Sequence, residues 1–411
     1  MPFRETTDAD LTLINVGFGI DITSQCNLDC KTCYYMDSSL NRPDPSVPYI
    51  SVEHFKRAIW CAAIAGFREI YILGGEPTLH PQIIPFLEYA KSFDFEQVLL
   101  VTNGLMLSDL NFCKSVAATG ADIAVQRHVV GHGTMEQKIQ NAIVGRNGTL
   151  SSINKAFANI EAVFDSCRVA VQCCITRPVV ECGQLYAVFR YAKEHHFEHI
   201  IECTKASPRY MRKHPFDLSP EELLNVYETL QSIDITEFNG RQYPFTPQAY
   251  GKTCHMPENS LHCLMDGTIV PCVGQPFPLG NIFNGSDHAL ASILDSPQRA
   301  FFRHPLERIA GHCRECPYFM ICTGGCRGDA YFLTGCFNAS AIQCPQLGNK
   351  ERRLALEDFM PSTCDNCELQ MNSLCGKKKN IDEILSRYFG SKYQKKEDTL
   401  NSDTILNLSP E

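Results

Sequence analysis

Six short runs of apolar and β-branched residues alternate with amphipathic stretches of helical length through the first half of this 411-residue chain, and that alternation limits its fold more than any other feature. Strands are expected near 12–22, 69–73, 97–102, 122–126, 168–176 and 198–203, and helices near 52–66, 81–92, 109–119, 150–166, 182–196 and 219–232. Pro81 and the run Ser219-Pro220-Glu221-Glu222 stand where first helical turns begin. Strands separated by helices cannot close as hairpins, so each crossover carries the chain back to start a parallel neighbour, with a right-handed sense. Six such units make three quarters of an eight-stranded barrel, a fold that places its chemistry at the C-terminal ends of the strands. The expected fold class is therefore α/β, a partial (β/α)6 TIM-like barrel over residues 1–235, followed by a small cysteine-rich domain. Residues 236–253 lose the helical period and read as a linker, and residues 254–350 are cysteine-dense and rich in Gly and Pro. Ligands rather than a large core should organise that second part. Residues 351–411 read as a polar, helical extension with further cysteines, its last twenty or so residues frayed.

The net charge of -9 argues against a nucleic-acid partner, which leaves a basic footprint. No apolar run is long enough to span a bilayer, and Met1-Pro2-Phe3-Arg4-Glu5 lacks a signal pattern, so a cytoplasmic location without membrane contact is expected. Twenty-two cysteines without a signal peptide point to metal rather than to a disulfide framework.

Three of those cysteines, Cys26, Cys30 and Cys33, sit on one loop after the first strand. Three thiolates can hold a cubic iron–sulfur cluster through three of its irons and leave the fourth open for chemistry. The other reading is a zinc knuckle or three reduced thiols, although a structural zinc site wants four ligands and the nearest histidine, His54, is distant in sequence. Gly74-Gly75-Glu76-Pro77 follows the second strand and Thr102-Asn103-Gly104 closes the third. Glycines at a strand-to-loop turn let main-chain groups approach a ligand closely, or simply make a tight turn. Asn103 is equally a ligand-lining residue and a turn residue that satisfies its own backbone. Polar residues also end the later strands: Gln126-Arg127-His128, Arg177, and Glu202 with Lys205. Each is individually a solvated rim residue, while as a set one or two should touch cofactor or substrate.

The cysteine spacing and the Gly-Gly-Glu segment one strand later resemble the radical S-adenosylmethionine (SAM) superfamily, over residues 12 to about 232. The resemblance implies a 4Fe–4S cluster on Cys26, Cys30 and Cys33 and S-adenosyl-L-methionine bound at Gly74, Gly75, Glu76 and Pro77, with Asn103 and Gly104 on the ribose side. It further implies reductive cleavage of that cofactor to a 5'-deoxyadenosyl radical. One departure is Thr32, where the family carries an aromatic residue.

Downstream, Cys313-x2-Cys316-x5-Cys322-x3-Cys326 is preceded by Cys254, Cys263 and Gly267-x4-Cys272, and followed by Cys344. Eight thiolates would fully ligate two four-iron clusters that relay electrons, or hold zinc four at a time. The spacing resembles the SPASM domain of radical SAM maturases. That resemblance implies a first auxiliary cluster on Cys254, Cys263, Cys272 and Cys326 and a second on Cys313, Cys316, Cys322 and Cys344, three clusters in all. Val273-Gly274-Gln275 stands where sulfatase-maturating relatives carry an aspartate base directly after the ligand, so the sulfatase-directed reaction is in doubt. Cys336 lies between expected ligands, and Cys364-x2-Cys367-x7-Cys375 is either an extra metal site or three thiols.

Together these resemblances imply a cytoplasmic radical SAM oxidoreductase or maturase that oxidises or cross-links a ribosomally made peptide. About a dozen residues precede the first strand, too few for a leader-binding domain, so the peptide would come on a separate leader-binding protein or enter the barrel directly. An electron donor such as flavodoxin or ferredoxin is implied. The alternatives are a small-molecule or tetrapyrrole-tailoring enzyme on the same chassis, and a non-enzymatic iron–sulfur carrier or scaffold, which has no use for a cofactor pocket.

Overall fold

All six expected strands form, within a few residues of their sequence positions, as β1 (Gly17–Asp21), β2 (Glu69–Leu73), β3 (Gln97–Thr102), β4 (Asp122–Gln126), β5 (Val169–Ile175) and β6 (Glu198–Cys203). The computed structural model describes residues 16–33, 35, 46–206, 216–252, 254, 256–275, 277–303, 308–348, 354–360, 384–386, 389 and 392–393. Cys364, Cys367 and Cys375, and most of the expected C-terminal extension, lie outside those residues. The chain divides into two compact units, Met1–Pro215 with His255–His304, and Phe216–Cys254 with Pro305–Glu411.

In the first unit every neighbouring pair among β1 to β6 is parallel, in the order β6-β5-β4-β3-β2-β1. The crossovers carry α1 (Val52–Ile64), α2 (Ile83–Lys91), α3 (Leu110–Ala118), α4 (Thr134–Val144), α5 (Thr149–Val163), α6 (Arg177–Glu181) and α7 (Gln184–Glu194). The sheet does not stop at six strands. β7 (Ser260–Cys263) pairs parallel to β1, and β8 (Thr268–Val270) and β9 (Gly280–Asn281) add an antiparallel continuation, giving nine strands among the described residues. An unpaired β1 would expose a row of backbone donors and acceptors; the segment expected to belong wholly to a cysteine-rich domain supplies the partner.

Strand alternation sorts the side chains. Tyr71, Leu99, Ala124, Ala170 and Ile200 form one buried cluster, with Leu73 and Val101 packed against it. Opposite Tyr71 in register is Gly19 of β1, which also faces His262 of β7. A Cβ at Gly19 would collide with the His262 ring, and one at Gly17 would meet Tyr71. Glycine in β1 therefore makes room for large neighbours on both sides. His262 Nε2 in turn stands 3.0 Å from Asp21 Oδ1, both side chains buried.

In the second unit α8 (Pro220–Phe238) begins with a capping box between Ser219 and Glu222 and ends at left-handed Asn239. It runs six residues beyond the expected end, and the segment read as a linker folds back on it. Tyr243 N–H donates to Gln231 Oε1 at 3.0 Å, and Phe245 and Tyr250 rings lie 5.6 and 6.0 Å from that of Tyr227. Among the described residues no helix is long and apolar enough to cross a membrane.

Candidate active site

The loop that carries Cys26, Cys30 and Cys33 is fastened from three sides within the first unit. Past β1 the chain stays paired: Gly75 N–H donates to Thr23 O and Glu76 N–H to Gln25 O, each at 2.7 Å. Gly74 has φ +132°, and a Cβ on Gly74 or Gly75 would run into the main-chain oxygens of Thr23 and Gln25. The paired glycines thus set how closely the end of β2 approaches the residues leading into Cys26. From the other side, Asp29 N–H and Lys31 N–H donate to Val144 O and Ile143 O at 3.0 and 2.8 Å, at the C-terminus of α4. Arg146 Nη1 donates to Asn27 O at 2.5 Å. All three cysteines are partly exposed, and none is in a disulfide. Thr32, in the place of an aromatic residue, is buried.

Glu76 is 1% exposed, and its carboxylate is spent on the protein itself. Oε1 accepts from Thr78 N at 3.1 Å and from the Thr78 and Thr102 hydroxyls at 2.5 Å; Oε2 accepts from Asn103 N at 2.7 Å. Burial raises its pKa, against the pull of these donors. The side chain therefore clamps the end of β2 to the end of β3. Asn103 is a turn residue, its Oδ1 accepting from Leu105 N at 3.0 Å, and its Nδ2 donates to Asn27 Oδ1 at 2.7 Å in the cysteine loop. Left-handed Gly104, φ +81°, then starts the next turn.

The rim residues divide. Gln126, Gln172, Cys174 and Glu202 share one sheet face, since Gln126 pairs with Gln172 and Cys174 with Glu202 in register. Gln172 Nε2 donates to Glu202 Oε1. Burial pushes the Cys174 thiol well up, and Glu202, Lys205 and Cys30 are within its electrostatic reach. Arg127 points the other way, with its guanidinium 4.3 Å from the Phe157 ring and 4.0 Å from the Tyr191 ring, on α5 and α7. It is a packing cation rather than a grip on a carboxylate. Arg177 pairs along its own helix with Glu181 at 3.5 Å. His128 is 2% exposed, and among the described residues neither ring nitrogen has a hydrogen-bond partner.

In the second unit Cys313, Cys316, Cys322 and Cys344 line one pocket together with Phe245, Pro247, Tyr318 and Phe319. Burial pushes the Cys313 thiol up, but His312, 3.7 Å from its sulfur, Ser340 and Arg327 outweigh that and bring it down to about 6. Four thiols around a pocket walled by aromatic rings suit a bulky thiolate-held group. Of the other expected set, Cys254 and Cys326 belong to the second unit and Cys263 and Cys272 to the first. Among the described residues no three His, Cys, Asp or Glu side chains are gathered as a single metal ion would need.

Residues 20–171 match the radical SAM superfamily, and residues 254–317 match SPASM, an iron–sulfur cluster-binding domain. The chain carries a radical SAM domain followed by a SPASM domain. A PqqA peptide cyclase of Methylocella silvestris is 25% identical over 353 residues, covering 82% of this chain and 89% of that one. A GTP 3',8-cyclase of Heliobacterium modesticaldum is 34% identical over 110 residues, covering 25% of this chain and 31% of its own length, so the match spans about a third of that relative. Two solved structures share the fold. anSMEcpe with bound AdoMet aligns with TM-score 0.56 and 17% identity, covering 76% of this chain and 86% of that one. Streptococcus suis SuiB bound to S-adenosylmethionine aligns with TM-score 0.57 and 16% identity, covering 77% and 74%.

Sequence reading singled out the loop, the Gly-Gly-Glu segment and Asn103, and tertiary structure brings those three together. It missed α4, whose last turn holds Asp29 and Lys31. The available signal was Gly145, which ends α4 at φ +65° and whose Cβ would strike the Asp29 carbonyl.

Proposed function

We propose that Cys26, Cys30 and Cys33 hold a 4Fe–4S cluster, that the SPASM cysteines hold two more, and that the enzyme oxidises or cross-links a ribosomally made peptide. The observation that carries this reading is the convergence of three strand ends on one three-cysteine loop, with Gly75 and Glu76 paired to Thr23 and Gln25, and Asn103 bonded to Asn27. When bound, the cluster and S-adenosyl-L-methionine supply a 5'-deoxyadenosyl radical that removes a hydrogen atom from substrate. The chain's own part is to hold the loop open at its mouth. Gly74 and Gly75 let main-chain groups come close, and Pro77 starts the short helix that follows. Main-chain groups of Gly74–Pro77 would hold the methionyl end of the cofactor, because the Glu76 carboxylate is committed to Thr78, Thr102 and Asn103. Asn103 and Gly104 would stand on the ribose side. A peptide substrate is supported by the likeness along most of the chain to a PqqA peptide cyclase. An electron carrier such as flavodoxin or ferredoxin would supply the reducing electron.

The test is anaerobic reconstitution followed by iron counting and product analysis. The wild type should carry about twelve irons and no zinc, and the Cys26→Ala/Cys30→Ala/Cys33→Ala variant about eight, with 5'-deoxyadenosine formation lost. Undiminished 5'-deoxyadenosine in that variant would sink the assignment of the loop. For the substrate, deuterated short peptides encoded beside the gene should transfer deuterium into 5'-deoxyadenosine. Transfer from a small molecule but from none of those peptides would overturn the peptide reading.

A further inference from the structure

Arg327 opens the helix Arg327–Thr334, directly after Cys326, and is 3% exposed. Its hydrogen bonds among the described residues go to four main-chain carbonyls: Nε to Gly325 at 3.3 Å, Nη1 to Phe337 at 3.0 Å and Ala339 at 2.6 Å, and Nη2 to Gly324. Three successive left-handed residues, Thr323, Gly324 and Gly325, curl the chain so that two of those carbonyls face the guanidinium. Among the described residues no carboxylate pairs with it. Carbonyl dipoles solvate a cation but do not neutralise it, and a guanidinium does not shed its proton to escape burial. Gly324 O, which accepts from its Nη2, also lies 4.0 Å from Cys313 Sγ, and Cys326 is the arginine's neighbour in the chain, with Cys322 also in its electrostatic reach.

Those sulfurs come from both ligand sets. Cys313 and Cys322 belong to the pocket set and Cys326 to the other, so one buried cation faces ligands of each. We propose that Arg327 is a fixed counter-charge shared by the SPASM iron–sulfur clusters, raising their reduction potentials so that they take up electrons. The inference rests on the ligand sets proposed above. Reduction adds one electron to a cluster while its donor, the substrate radical or an electron-carrier protein, loses one; a positive charge held in a low-dielectric interior favours the reduced, more negative form. With its hydrogen bonds taken up by main-chain carbonyls, Arg327 would act only through the clusters.

The experiment is a redox titration followed by electron paramagnetic resonance. It uses the full-length chain carrying Cys26→Ala, Cys30→Ala and Cys33→Ala, so that only the auxiliary clusters titrate. Arg327→Gln should lower at least one midpoint by 59 mV or more, a tenfold shift in the one-electron equilibrium. Arg327→Lys, which keeps the charge but not the fork of hydrogen bonds, should stay within about twofold of the parent on that same scale. Loss of iron from the Gln variant alone, with Lys loading normally, also supports a charge role. Unchanged midpoints in Gln at full iron content overturn it, as does an equal drop, or equal loss of iron, in both variants. If the parent holds zinc or no auxiliary iron, the ligand reading itself is wrong, and the iron count shows that before any midpoint is compared.

Discussion

His128 gives the chain a pH dependence whose size can be worked from its surroundings. The ring lies two residues past the end of β4, fully buried, with both nitrogens unpartnered. Burial alone pushes its pKa down from 6.5 to about 4, with no charged group contributing. The unfolded chain therefore takes up a proton near pH 6.5, while the folded chain refuses it until about pH 4. Stability from the neutral ring is complete above pH 7 and is lost as the pH falls through that window. The full loss is about 3 kcal/mol, and roughly 2 kcal/mol is already gone at pH 5. His128→Phe removes the titration and keeps a ring of similar size. Urea unfolding can be followed by the chain's single tryptophan, Trp60, which lies on α1 in the same unit and is 46% exposed. The stability difference between wild type and variant should move by about 2 kcal/mol in the variant's favour between pH 7.5 and pH 5. Parallel pH profiles would refute the argument, and acid loss of iron would affect both proteins alike.

Two further substitutions probe the mouth of the barrel. Gly75→Ala places a Cβ against the Gln25 main-chain oxygen, which cannot swing aside as a side chain can, so the approach to Cys26 should widen. Affinity for S-adenosyl-L-methionine should fall at least about tenfold by calorimetry, a loss of roughly 1.4 kcal/mol, while circular dichroism stays unchanged; equal affinity returns the glycine to an ordinary turn. Glu76→Gln keeps an oxygen for the three donors on Oε1 but turns an amide N–H2 toward Asn103 N–H, leaving a buried donor unpaired at a cost of about 1–3 kcal/mol. Thermal unfolding should register the loss, and an unchanged melting temperature would mean that the clamp between β2 and β3 contributes nothing.

Much of the first unit was legible because the signals are local. β2, β3, β4 and β6 fall where their apolar runs were read, since a strand writes its own two-residue period into contiguous sequence. β7 escaped notice because four residues, Ser-Leu-His-Cys, carry too little pattern to stand out from a cysteine-rich segment. α4 escaped for a similar reason, its apolar face being interrupted by Gln137 and Gln140.

The sequence by itself determined the strand and helix periods, the cysteine spacing that marks the loop, and the glycines beside it. Tertiary structure alone decided what the polar side chains do. Nothing beside Glu76 in the sequence tells that Thr102 and Asn103, more than twenty-five residues away, take up its carboxylate. Arg127 reads as a rim residue until the aromatic rings of α5 and α7 close over it. Arg327 carries no sign in its neighbours that four main-chain carbonyls will take up its guanidinium. Backbone period is a property of neighbours in sequence. The partners of a buried charge are chosen by whichever distant groups the fold brings within reach, because burial withdraws the water that would otherwise satisfy it.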